Sequence, residues 1–184
     1  PRAVSSVTIS GPKVLLNLSA PVVYGDNVRI SYSKPATNPL QTSQGGQADA
    51  INNLTVTNNV LPVVPVFVNA SVENSTPDII RLNYDIALTN IIPPVSAFSV
   101  KINSTSLAVQ DINISGMLVT IRLSSPVKYG DVISISYNKP ASQPLQTADG
   151  GIAGSFSEQT AENKILPPNP VFINASVEDA NPAV

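Results

Sequence analysis

The feature that most constrains this chain is that it repeats itself. Tyr24-Gly25-Asp26 returns as Tyr129-Gly130-Asp131, Pro39-Leu40-Gln41-Thr42 as Pro144-Leu145-Gln146-Thr147, and Asn69-Ala70-Ser71-Val72-Glu73 as Asn174-Ala175-Ser176-Val177-Glu178, each pair 105 residues apart. Residues 1–79 align with 106–184 without a gap, and about half of the positions are identical. A fixed period of this size means that one period is one module, since about 100 residues can bury a core of their own. The Pro-rich segments Leu61–Pro65 and Leu166–Pro170 punctuate the array, because proline fixes φ and removes backbone donors. The expected organisation is therefore residues 1–60 as the C-terminal part of one repeat, 61–65 as a linker, 66–165 as a complete repeat, 166–170 as a second linker and 171–184 as the first strand of the next repeat. The chain opens at Pro1, with no basic stretch followed by an apolar run, and reads as a mature or internal fragment.

Within 66–165, apolar and polar residues alternate with period two in short runs, the pattern of strands with one buried and one wet face. Seven strands are expected: Val66–Val72, Ile79–Tyr84, Phe98–Ile102, Val109–Ile114, Met117–Leu123, Val132–Tyr137 and Phe156–Ala161. Ser115-Gly116, Tyr129-Gly130-Asp131 and Asp149-Gly150-Gly151 supply turns between them. The spacing predicts an all-β, immunoglobulin-like antiparallel sandwich with a core of Val, Ile and Leu and with Tyr84, Phe98, Tyr137 and Phe156 as its large members. Pro93-Pro94 cannot sit in a central strand, so Asn90–Ala97 reads as a crossing loop with Ile91, Ile92, Val95 and Phe98 plugging the core.

Composition narrows function by exclusion. The chain has no Cys and no His, which removes thiolate nucleophiles, imidazole bases and the usual zinc and transition-metal ligand sets. Only 12% of residues are charged, net charge is −2, and no basic run could follow a phosphate backbone. Nucleic acid is not an expected partner, and no apolar stretch is long enough for a membrane span. No cofactor is expected.

The recurring polar residues each have a bland and a sharper reading. Asp26 and Asp131 could each begin a calcium site, but a hard cation takes six to eight oxygens and no cluster of carboxylates surrounds them in sequence, so they read as turn formers. Lys34, Lys139, Asn69, Asn174, Glu73 and Glu178 recur once per module and suggest a Lys–Asn amide bond, which would require the three groups to be buried together. Ser142 and Ser155 lie near Lys139 but read as turn residues, and catalysis is not expected. Asn-x-Ser/Thr sequons stand at Asn17, Asn53, Asn69, Asn74, Asn103, Asn113 and Asn174, seven in all, where 18 Asn and 33 Ser/Thr would give roughly three by chance. These are the candidate glycosylation sites.

The run Ser99 to Ser136 with the segment after it, including the strand pair within 109–137, Asn138-Lys139-Pro140, Pro144-Leu145-Gln146 before a Gly turn and residues 155–165, resembles the SwmB-type repeats of bacterial cell-surface proteins. The resemblance covers essentially the whole chain and is strongest at Gly25-Asp26, Gly130-Asp131, Pro39–Gln41 and Pro144–Gln146. It departs at Tyr24 and Tyr129, where small residues are usual, and at Thr42 and Thr147, where Asp commonly follows the Gln. What the resemblance implies is export, tandem arrays and structural or adhesive roles at the cell surface, with no activity attached to the module.

The leading expectation is a structural module of an extracellular fibre, filament or stalk, partnered head to tail by other copies of the same repeat. The alternatives are an adhesin domain binding a host or matrix ligand, and an accessory domain of a surface enzyme. The half-module at 1–60 would expose an apolar face and unpaired strand edges, which other copies or continuing chain are expected to cover. Strand addition by the segment 171–177 of another copy would supply only part of the missing piece, so a segment of a continuous repeat filament is the leading expectation.

Overall fold

The computed structural model describes residues 2–176. These divide into two compact units, the first holding residues up to Val64 together with Gln146–Gly151, and the second holding Pro65–Leu145 and the residues from Ile152 onward.

Unit 2 carries one eight-stranded sheet. Its strands are β5 (Phe67–Glu73), β6 (Ile79–Tyr84), β7 (Phe98–Ile102), β8 (Thr105–Leu107), β9 (Val109–Ser115), β10 (Leu118–Leu123), β11 (Ile133–Tyr137) and β12 (Phe156–Lys164). One hydrogen-bonded ladder joins them in the order β8-β7-β11-β12-β5-β6-β10-β9. All neighbours are antiparallel except β12 and β5, which run parallel from Ala161 opposite Ala70 to Lys164 opposite Glu73. The ladder thus has two four-stranded halves, β9-β10-β6-β5 and β12-β11-β7-β8, and the first strand joins them. Period-two alternation sends Ile80, Leu82 and Tyr84, then Val119, Ile121 and Leu123, inward from one half, and Phe98, Val100, Ile133, Ile135 and Tyr137 inward from the other. They meet in one apolar cluster, the sandwich core. Burying each such side chain contributes roughly 1.5–3 kcal/mol, which is why register is tightly specified. Phe156 is only partly buried; it stacks on Phe67 with ring centroids 4.5 Å apart at the edge of that core.

Three details differ from the sequence reading. An eighth strand, β8, pairs with β7 across the two-residue loop Asn103-Ser104, whose φ values of 50° and 68° suit a type I′ turn. No glycine marks this turn. In the loop after β6, Phe98 is buried as expected, but Ile91 is half-buried and Ile92 and Val95 are exposed, the last within a short 3-10 turn (Val95–Ala97). Leu88, Pro93 and Ala97 fill the core there instead. Residues 171–176, expected to open a strand, have no strand structure, and the remainder of that expected strand lies outside the described residues.

Unit 1 has the hairpins β1 (Val4–Ser10) with β2 (Lys13–Leu18), and β3 (Val28–Tyr32) with β4 (Ile51–Val56). No strand pairing joins the two hairpins, and no residue from 2 to 64 is buried. By the repeat spacing, β1 to β4 correspond to β9, β10, β11 and β12. The β1–β2 and β9–β10 loops have the same length, with Gly11 and Gly116 at φ 57° and 59° in the first loop position, a conformation that glycine adopts without steric cost. The bulge is repeated as well. Register shifts between Ile30 and Tyr32 and between Ile135 and Tyr137 place Asn53 and Glu158 at positive φ, and the Ser31 and Ser136 hydroxyls accept their N–H groups at 3.0 and 2.9 Å.

Candidate functional site

The polar residues that recur with the repeat are engaged in two sets of internal hydrogen bonds, present at both 105-residue positions. The first is the turn before β3 and β11. Asp26 Oδ2 accepts the N–H of Val23 at 2.9 Å, and Asp131 Oδ2 accepts that of Lys128 at 2.8 Å. Asn58 Nδ2 donates to the Val23 and Asp26 carbonyls at 2.8 and 3.2 Å, and its Oδ1 accepts the Val60 N–H. Asn163 does the same with Lys128, Asp131 and Ile165, at 2.8, 2.9 and 3.0 Å. Each asparagine thereby ties the end of its strand to a turn about 32 to 35 residues earlier. The turn's carboxylate in unit 1 also pairs with Arg2 Nη1 at 2.6 Å. The Val23 N–H, followed by the Arg2 guanidinium, holds the Asp26 carboxyl below the usual carboxylate range. In unit 2 the second Asp131 oxygen accepts Asn103 Nδ2 at 2.7 Å.

The second set secures the Pro-Leu-Gln-Thr loop. The Tyr32 and Tyr137 hydroxyls accept the N–H of Leu40 and Leu145, both at 2.9 Å. Thr42 and Thr147 Oγ1 accept the N–H of Gly46 and Gly151 at 3.0 and 2.9 Å. Thr147 also approaches the Val63 carbonyl at 3.4 Å, and a Cβ added to Gly151 would overlap that same carbonyl. Gly151 is therefore needed for a close approach of backbone, not for its φ. Burial raises the Tyr137 phenol above its ordinary pKa, partly offset by the Leu145 bond, and burial raises Tyr84 further.

The other candidate residues are placed as follows. Asp26 and Asp131 stand in turns as hydrogen-bond acceptors, and among the described residues no group of three or more acidic side chains is gathered. Lys34, Lys139, Asn69 and Asn174 are all exposed, whereas a Lys–Asn amide needs shared burial. Glu73 accepts from Lys164 Nζ and Ser71 Oγ, both at 3.0 Å, and these bonds, Lys164 first, lower its pKa. Glu178 lies outside the described residues. Ser155 Oγ accepts the Lys139 N–H at 2.9 Å, and Ser142 is exposed in its loop. The sequon asparagines Asn17, Asn53, Asn69, Asn74, Asn103, Asn113 and Asn174 are all exposed. Several have bonds of their own: Asn17 donates to Ser6, Asn69 accepts from Asn83, Asn74 accepts the Leu166 N–H, and Asn103 accepts the Val132 N–H. On the outer face of β5, β6 and β12 an open groove of about 570 Å³ is lined by Asn69, Glu73, Arg81, Asn83, Glu162 and Lys164 among others.

Sequence reading passed over Asn58, Asn163, Tyr32 and Tyr137 as polar anchors, and their identity across the 105-residue spacing was the available signal. The Tyr137 ring is buried and its hydroxyl accepts the N–H of Leu145 eight residues downstream, and the half-buried Tyr32 makes the same bond with Leu40.

The fold and these paired hydrogen-bond sets define a tandem β-sandwich repeat whose recurrent polar groups secure its own turns. The family model SWM_repeat, described as a "Putative flagellar system-associated repeat", matches residues 47–142, over half of the chain. The chain belongs to that repeat family. Two solved structures are similar to it, both of the bacterial S-layer protein SbsC: its N-terminal part, with a TM-score of 0.43, and rSbsC(31-844), with 0.44. Each is 16% identical over 59% of this chain, and the matches span 25% and 14% of those chains. A comparison with curated proteins gave no match.

Proposed function

We propose that the chain is a structural module of an extracellular surface fibre, filament or stalk, built from tandem copies of this 105-residue repeat. The observation that carries the reading is the duplication of the internal bonds: Asp26 and Asp131, Asn58 and Asn163, Tyr32 and Tyr137, and Thr42 and Thr147 all spend their polar groups on the backbone of the repeat itself. Residues kept for recognition or catalysis would face a ligand instead. The module is immunoglobulin-like in connectivity, a reading supported by the four-strand and four-strand halves joined through β5. Residues 66–165 form its complete unit, with 61–65 and 166–170 as linkers. Neighbouring copies associate head to tail along one polypeptide, and a linker of five residues can span at most about 15 Å at roughly 3.1 Å per residue. Some of the exposed sequons accept glycans where the host uses that motif.

Electron microscopy and small-angle scattering of proteins carrying two, three and four copies test the reading. A stalk lengthens by a constant increment with each copy. Particles whose maximum dimension stays constant as copies are added would overturn it, as would surface-protease treatment of intact source cells that leaves the protein untouched.

A further inference from the structure

Val7, Ile9 and Val14 in unit 1 are 56%, 63% and 43% exposed, whereas Ile112, Ile114 and Val119, their equivalents in unit 2, are 3%, 6% and 0% exposed. The sequence at these positions is as apolar in one unit as in the other, so the difference lies in what covers them. In unit 2 the cover is β5 to β8. Strand β10 pairs with β6, β11 with β7, and β12 with β5. In unit 1, the corresponding strands β2, β3 and β4 each have, among the described residues, one ladder partner and one unpaired edge. A groove of about 470 Å³ lies between the β1–β2 turn and the loop around Leu40. At the corresponding turn of unit 2, the N–H groups of Tyr84 and Leu88 donate to the Met117 and Gly116 carbonyls, both at 2.9 Å. The Pro12 and Gly11 carbonyls stand at the same places in unit 1.

We propose that this face of unit 1 is an interaction surface for one occupant: the β5–β8 segment of a second copy of the repeat, of the sequence type of 67–107, joined in register ahead of β1. Three free edges match three strands, two turn carbonyls match two N–H groups, and the apolar positions match the inner face of β6 and β7. A flat apolar partner would satisfy only the last of these, and a single added strand only one edge. The inference rests on the tandem-repeat part of the proposed function and is indifferent to cellular location.

The test compares this chain with a version carrying a second copy of residues 66–105 fused directly before Pro1, using amide hydrogen exchange, dye binding to apolar surface and sedimentation. Fusion is expected to slow exchange in β2, β3 and β4 by about 100-fold or more and to abolish dye binding, with the protein monomeric. The same fusion with Leu82→Asp in the added copy alone should restore fast exchange in β2–β4 while β10–β12 remain protected. Unchanged exchange in β2–β4 on fusion would overturn the proposal, as would equal protection in the Leu82→Asp version. Protection already present in the unfused chain as a dimer would also overturn it, because the face would then be pairing with itself. A failure of the lengthening test with this result intact would sink the stalk reading alone.

Discussion

Replacing Tyr137 by Phe isolates one bond of the second set. The Tyr137 ring is 1% exposed and stacks near Phe98 at 5.0 Å, and Phe keeps that packing while removing the hydroxyl. The Leu145 N–H that donates to it at 2.9 Å belongs to a residue that is 0% exposed, so no bulk water replaces the acceptor. An orphaned buried donor costs about 1–3 kcal/mol, well above the roughly 1 kcal/mol net value of an ordinary exchanged bond. For a module of about 100 residues, a loss of about 2 kcal/mol corresponds to a fall in Tm of roughly 8–16 °C. Urea and thermal denaturation of the full chain, followed by circular dichroism, would measure it. Tyr32→Phe is the internal control, since the same bond in unit 1 lies at a half-buried tyrosine and its loss should cost well under 1 kcal/mol. If Tyr137→Phe proves as mild as Tyr32→Phe, the Leu145 N–H has found another acceptor and the bond is not an anchor of the loop.

Three further outcomes follow from the same geometry. Asn163→Ala removes two donors and one acceptor at once, and should cost about 2 kcal/mol in urea unfolding, while Asn138→Ala, at an exposed position, stays within about 0.5 kcal/mol. Gly151→Ala forces the Val63 backbone away, so limited proteolysis should cut near Val63 faster than in the parent, and equal rates would show that the approach is not tight. The buried phenols of Tyr84 and Tyr137 have raised pKa values, so the folded state holds their protons after the unfolded chain releases them. The stability they contribute is complete below pH about 10, the ordinary phenol value, and falls as pH rises above it, by up to about 1.4 kcal/mol per unit for each group. Tyrosinate absorbance from these two should appear together with loss of the β signal, and their ionisation in a still-folded chain would refute the assignment.

Much of the architecture was legible in residue order because the signals concerned are local. Alternation at Ile80, Leu82 and Tyr84, or at Val119, Ile121 and Leu123, is enforced by the pleat of a single strand, and the 105-residue spacing is visible without any contact. The Gly116 turn was legible for the same reason, since glycine announces a positive φ, whereas the Asn103-Ser104 turn and β8 beyond it carried no such mark. What sequence could not give is which polar residues meet. Asn163 reaches back 32 to 35 residues to the Asp131 turn, and Tyr137 meets Leu145 across a loop, so both appear in sequence only as ordinary polar and aromatic positions. Tertiary structure alone decided that β5 bonds to β6 on one edge and runs parallel to β12 on the other, because strand neighbours are chosen by the burial of both inner faces together. It decided burial as well: Val14 and Val119 are the same residue at equivalent places, 43% exposed in one and 0% in the other, and the difference is the presence of β5–β8 over only one of them.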